Sequence, residues 1–311
     1  MYNIDTQKIL FMNDIQKRTY IKQCEKEYDD KLAEIAYKIS QKKSIRLCGL
    51  AGPSCAGKTT TSFKLTMQLE DYNLWVRTLS IDDFFYDRKL GPIGEDGKPD
   101  YESPNFVNID LLHSTLEAVM KGRKVYLPKY DFVSGKRTDK YEQYTPSSKD
   151  IIVLEGLHAL NDTMYYGISD DEFYRIFIDA EENVLLDGKK LFSGIDLRLF
   201  RRIIRDMKFR GSTPENTMNL WEKVLEGEIK YIHPFAGHAD FKINSVFEYE
   251  ACALKKQTVN ALNKINSDSV HYEYAKVMCD KLNLVPEINE NLVPGNSLLQ
   301  EFLGGDYFKY D

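Results

Sequence analysis

The run Gly52-Pro53-Ser54-Cys55-Ala56-Gly57-Lys58-Thr59 fits G-x-x-x-x-G-K-[ST] with no departure, and no other stretch restricts the fold of this chain as strongly. Such a loop works between a buried strand and a helix, because its backbone N–H groups and the helix N-terminus must converge on one anion. Both neighbours are present. Residues 44–50 are short, apolar and bounded by glycine, which suits a strand entering a sheet, and residues 60–69 place Phe63 with Met67 and Leu65 with Leu69 at helical spacing. The motif predicts a phosphate site running from Gly52 to Thr60. Gly52, Pro53, Ser54, Cys55, Ala56 and Gly57 wrap the phosphates, Lys58 carries a point charge to the β/γ oxygens, and the Thr59 hydroxyl can ligate Mg²⁺.

The rest of the chain alternates strand and helix signals. Residues 74–81, 151–154, 174–178 and 240–244 read as strands, and residues 125–132, which include Pro128, read as an edge strand. Helices are expected over 110–121, 196–210, 217–231 and 249–264. This alternation predicts an α/β fold of three layers, with a mainly parallel central sheet and helices on both faces. Ligands collect at the carboxyl ends of strands in such sheets, so Asp82 and Asp83 lie on the edge that carries the phosphate loop, with Asp83 turned to the opposite side of the strand end. Residues 196–210 place Arg198, Arg201, Arg202 and Arg205 on one stripe. Four like charges repel unless anions meet them, and beside a phosphate loop they predict a lid rather than a solvated surface. Residues 1–43 read as a helical extension, 44–282 as the main domain and 283–311 as a tail laid on it.

Composition narrows the function classes. A net charge of −6 offers no general field for nucleic acid, so phosphate affinity must be local. The five cysteines form no C-x-x-C pair and read as reduced thiols of a cytosolic protein. No uncharged apolar run approaches the roughly 18 residues of a membrane span, so a cytoplasmic protein is expected. The five histidines show no metal-ligand spacing.

Six motifs in order resemble the uridine kinase and phosphoribulokinase family: residues 52–59, Leu79-Ser80-Ile81-Asp82-Asp83-Phe84-Phe85, Asp100-Tyr101-Glu102-Ser103-Pro104, the run from Pro128 to Arg137, Ile152-Val153-Leu154-Glu155-Gly156, and Arg201-Arg202-Ile203-Ile204-Arg205-Asp206. The tail from Pro294 to Phe302 is similar to the kinase half of longer bacterial nucleoside kinases of this group. The resemblance implies a P-loop kinase that uses ATP and Mg²⁺ to phosphorylate the 5′-hydroxyl of a nucleoside, uridine or cytidine, in pyrimidine salvage. It matches Asp82 to the catalytic base, Glu155 to the acidic residue near Mg²⁺, and Arg201, Arg205 and Arg210 to lid arginines. Glu102 and Arg198 match positions that hold ribose hydroxyls, and Tyr130 and Arg137 match the wall of the nucleoside pocket. Two features differ from the pattern: Gly135 stands where uridine kinases carry a His, and extra residues separate Asp179 from Arg198. The partner implied is a small molecule, and a homo-oligomer stays open. Two other readings stay open as well: a kinase of another hydroxyl compound, such as a sugar phosphate or pantothenate, and a nucleotide-dependent regulator. Against the regulator, the sequence holds no N-K-x-D guanine motif.

Overall fold

The computed structural model describes residues 3–95, 97–147, 149–165, 167–305 and 307–308. The chain opens with β1 (Asn3–Asp5) and the long helix α1 (Asp14–Ser40), followed by β2 (Leu47–Ala51), α2 (Lys58–Glu70) and β3 (Val76–Ser80). Helix α3 (Ile109–Met120), β4 (Ile151–Glu155) and β5 (Phe173–Asp179) come next. A hairpin of β6 (Asn183–Leu186) and β7 (Lys189–Phe192) leads into α4 (Gly194–Phe209) and α5 (Pro214–Tyr231). The chain continues with β8 (Phe241–Asn244), α6 (Glu250–Leu262) and α7 (Tyr272–Asn283).

Five strands pair in the order β8-β5-β2-β4-β3, every pair parallel. Alternate residues of β2 serve two cores. Cys48 and Leu50 face a cluster that includes Leu32 and Ile35 of α1 and Leu65 of α2, while Leu47 and Ala51 face a second cluster with Leu112 and Leu116 of α3. A strand covered on both faces must be apolar throughout, which is why β2 and β4 read so clearly from sequence. The register levels Leu50, Glu155 and Ser80 across β2, β4 and β3, so the phosphate loop, Glu155 and the turn holding Asp82 meet at one edge.

Residues 125–132 do not form an edge strand of this sheet. Pro128 lacks an N–H and splits the run, so Val125–Leu127 pairs with Glu142–Tyr144 and Tyr130–Asp131 pairs with Lys136–Arg137 in two small antiparallel ribbons. The extra residues after Asp179 include the β6–β7 hairpin, whose turn places Asp187 and Gly188 at positive φ, and β6 pairs in parallel with β1. The N-terminal helix is fastened to α2: the Tyr28 hydroxyl and Thr61 Oγ1 share a 2.6 Å hydrogen bond, and Lys64 Nζ lies 2.7 Å from Asp29. No helix of the described residues is long and apolar enough to cross a membrane.

Candidate active site

The loop between β2 and α2 owes its shape to two glycines. Gly57 takes φ +90° as the N-cap of α2, and a Cβ on Gly52 would lie 2.0 Å from the Ile178 carbonyl oxygen. Lys58 Nζ donates to the carbonyls of Gly52 (2.9 Å) and Pro53 (3.0 Å), which pins the ammonium within the loop. Thr60 donates through N–H (3.4 Å) and Oγ1 (2.9 Å) to Glu301 of the tail, so a carboxylate rather than open space faces that residue.

A cleft of about 1070 Å³ opens beside the loop. It is lined by Thr59, Asp82, Asp83, Tyr130, Phe132, Glu155, Arg205 and Arg210 among others, together with Glu301. Asp82 and Asp83 sit on a 3₁₀ turn, Ile81–Phe84, rather than at a strand end. Strand alternation therefore does not apply, and both line the cleft, which corrects the expectation that Asp83 faces away. The two differ in bonding: Asp83 Oδ1 accepts the Tyr130 N–H at 3.0 Å, whereas Asp82 Oδ1 is buried without a hydrogen-bond partner among the described residues. Burial raises the Asp82 carboxyl above the usual range, opposed by Lys58, Arg210 and Arg205. Glu155 is raised by burial and then by Asp82. Two acids in one water-poor site cannot both ionise at ordinary cost.

The remaining expected residues divide. Glu102 lies outside the cleft lining, near Asp82, Lys58, Arg202 and Glu228, with Oε2 buried and unpartnered among the described residues. Burial raises its carboxyl to about 7. Arg137 is also absent from the lining; its N–H is bonded to Asp87 Oδ1 at 3.2 Å. Arg210 lines the cleft with its guanidinium 4.3 Å from the Phe132 ring, and burial beside Arg205 lowers its pKa to about 10.

Arg198 and Arg201 do not reach the cleft. Arg198 is bidentate to Glu228 and also donates to the Ser54 carbonyl, while Arg201 places its five donors on Glu250, Ser245 and the Cys55 carbonyl. Helix α4 is correspondingly no detached lid. Both its apolar side, with Leu199, Phe200, Ile203 and Ile204, and much of its arginine stripe are buried. The helix starts at a Ser193–Asp196 capping box and lies under the phosphate loop, so its arginines meet backbone carbonyls and carboxylates as their counter-groups.

Sequence reasoning missed Glu228, Glu250 and Glu301. Each sits on an otherwise ordinary helical stretch, and only the fold brings it to the loop. His158 is a core histidine, buried next to Tyr231, with its pKa lowered to about 4 by burial. No group of three or more metal-ligating side chains forms a preset metal cluster among the described residues.

The sequence model of the Phosphoribulokinase / Uridine kinase family matches residues 47–251, about two thirds of the chain. The chain belongs to this family. It is an ATP-dependent kinase that transfers phosphate to a hydroxyl group. Proteins named uridine kinase from Staphylococcus aureus strains JH9 and Newman are each 29% identical to it over 202 residues, covering 65% of this chain and 88% of theirs. A solved structure of a possible uridine kinase from Bacillus stearothermophilus is 17% identical, with a TM-score of 0.46, covering 70% of this chain and 99% of the other. D-glycerate 3-kinase from Cryptococcus neoformans aligns at 13% identity and a TM-score of 0.36, covering 88% of this chain and 87% of the other.

Proposed function

We propose that this kinase transfers the γ-phosphate of ATP to the 5′-hydroxyl of a nucleoside, uridine or cytidine, as a step of pyrimidine salvage. The observation that carries the reading is the Asp82 carboxylate, which lines the cleft with one oxygen unpartnered among the described residues and with Lys58, Arg205 and Arg210 in its electrostatic surroundings. Asp82 accepts the proton of the attacking hydroxyl, and burial strengthens its hold on that proton. Lys58 from the loop and Arg205 and Arg210 from the cleft meet the negative charge on the transferred group, and Phe84, Phe132 and Phe209 add aromatic surface to the same cleft.

The oxygen donors fit Mg²⁺. The Thr59 hydroxyl and the Glu155 carboxylate line the same cleft and are the hard ligands this ion takes. When bound there, it neutralises the β/γ oxygens. Tyr130 supplies an apolar wall for the acceptor. The kinase unit in this reading spans residues 44–282, with the described residues of the helical extension 1–43 and of the tail 283–311 packed on it. Lys129 and Lys140 in the same wall favour a phosphorylated sugar as the second reading. ATP-dependent phosphorylation across uridine, cytidine, adenosine, guanosine, ribulose 5-phosphate and pantothenate tests the choice. Turnover is expected with uridine or cytidine. Turnover confined to ribulose 5-phosphate or pantothenate would overturn the nucleoside assignment.

A further inference from the structure

Two carboxylates remote from the cleft in sequence act on the phosphate loop through arginines. Arg198 donates to Glu228 through Nη1 (2.7 Å) and Nη2 (2.8 Å), and its Nη1 also donates to the Ser54 carbonyl at 3.2 Å. Glu228 Oε1 in turn accepts the Ser54 N–H at 3.1 Å. Arg201 donates to Glu250 through Nε and Nη2, both at 2.6 Å, while its Nη1 donates to the Cys55 carbonyl at 3.0 Å. The four side chains are 2%, 1%, 0% and 0% exposed for Arg198, Glu228, Arg201 and Glu250. Arg202 adds a bond from Nη1 to Ser54 Oγ at 2.8 Å.

A trans peptide is planar, with C=O and N–H pointing in opposite directions. Fixing the Ser54 carbonyl against Arg198 therefore turns the Cys55 N–H away from the arginines. Fixing the Cys55 carbonyl against Arg201 aims the Ala56 N–H at the Pro53 carbonyl, where it closes a 3.2 Å turn. Cys55 itself adopts φ 59°, a conformation that non-glycine residues hold only where their surroundings over-determine it. Burying two ion pairs is costly, and apolar residues of the same volume commonly stabilise a core as well. Stability alone gives no reason for both arginines to end on consecutive carbonyls of this loop.

We propose that Glu228 and Glu250 are positioning residues for phosphoryl transfer: each locks an arginine that fixes one peptide plane of the phosphate loop, so the loop is already set for nucleotide phosphates. The inference rests on the loop binding nucleotide and not on the identity of the acceptor. Two substitutions separate it from a merely structural role. Arg201→Lys keeps a charge against Glu250 but lacks the planar fork that reaches the Cys55 carbonyl at the same time. Glu228→Gln still accepts the Ser54 N–H but loses its charge pairing with Arg198.

ADP binding to the full chain, followed by calorimetry with Mg²⁺ present, is measured together with thermal melting. Both variants are expected to bind ADP at least about tenfold more weakly than wild type. Their melting midpoints should fall less than that loss implies, and Glu250→Asp should retain more affinity than Glu250→Gln. A folded variant of either kind that binds ADP within about twofold of wild type overturns the proposal. If Arg201→Lys does not fold, Glu228→Gln decides alone. Failure of the wild-type chain to bind ADP would instead remove the premise that the loop takes nucleotide.

Discussion

Asp82 and Asp83 are adjacent and line the same cleft, but Asp83 Oδ1 already accepts the Tyr130 N–H. Asp82→Asn keeps shape and hydrogen-bonding capacity but cannot accept the hydroxyl proton, so kcat is expected to fall by about 10² to 10⁴ while ADP binding persists. Asp83→Asn leaves an acceptor for the Tyr130 N–H, so its effect belongs on acceptor KM rather than on kcat. If Asp83→Asn abolishes turnover and Asp82→Asn is near wild type, the base is the wrong carboxylate. Glu102 makes a separate prediction about pH. Its carboxyl ordinarily titrates at 4.5 and in the fold is held up to about 7, by burial first and then by Glu228 and Asp82 against the pull of Arg202. Between these values the folded chain binds more protons than the unfolded one, so this group's contribution to stability declines as pH rises from about 4.5 to about 7. His158, depressed to about 4, contributes with the opposite sign between that value and its usual 6.5. The difference in melting temperature between wild type and Glu102→Gln isolates the carboxyl. Wild type should lose ground to the variant across that window, and parallel profiles would refute the assignment.

At the scale of elements, the strands and the phosphate loop were legible because their causes are local. An apolar run such as Ile151–Glu155 is buried on both faces, and the loop motif carries its own glycines. Helix α4 was legible in its period but not in its use. The 3.6-residue repeat finds the arginine stripe, yet Glu228 and Glu250 stand 30 and 49 residues beyond Arg198 and Arg201, where no local pattern shows them meeting. The apparent edge strand around Pro128 failed for a related reason, since β content reveals a strand but not its partner. The helix carries two kinds of arginine. Arg205 lines the cleft and donates to Asp206 at 2.9 and 2.7 Å, so part of its guanidinium remains for a ligand. Arg205→Gln is expected to reduce kcat by about 10² to 10³ with a smaller change in ADP affinity, as steady-state kinetics and direct binding will show. A shift in melting temperature without a kinetic defect would make Arg205 a brace like its neighbours.

For the whole molecule, the chain ends belong to the same packing problem as the loop. Sequence suggests an extended tail laid on the main domain, because Pro286, Pro294 and Gly304-Gly305 interrupt any period, but it does not show which side chains the domain takes in. In the structure, Leu298, Leu299 and Phe302 are fully buried, and the tail's Ser297 shares a hydrogen bond with Tyr249, which donates to Glu25 of α1 in turn. Leu298 also packs under the phosphate loop: a Cβ on Gly57 would come within 2.3 Å of its Cδ1. Leu298→Ala therefore removes a core side chain and loosens the floor of the loop in one change. Large-to-small core substitutions of this type cost about 2 to 5 kcal/mol, and denaturant unfolding of the full chain should register a loss in that range. ADP affinity should fall as well, because the N-cap of α2 loses its packing partner. Leu284→Ala is the matched control, since that side chain is 58% exposed and its loss should change stability by no more than about 0.5 kcal/mol. Equal, small effects for the two leucines would mean that Leu298 is not part of the core and that the loop keeps its shape without it.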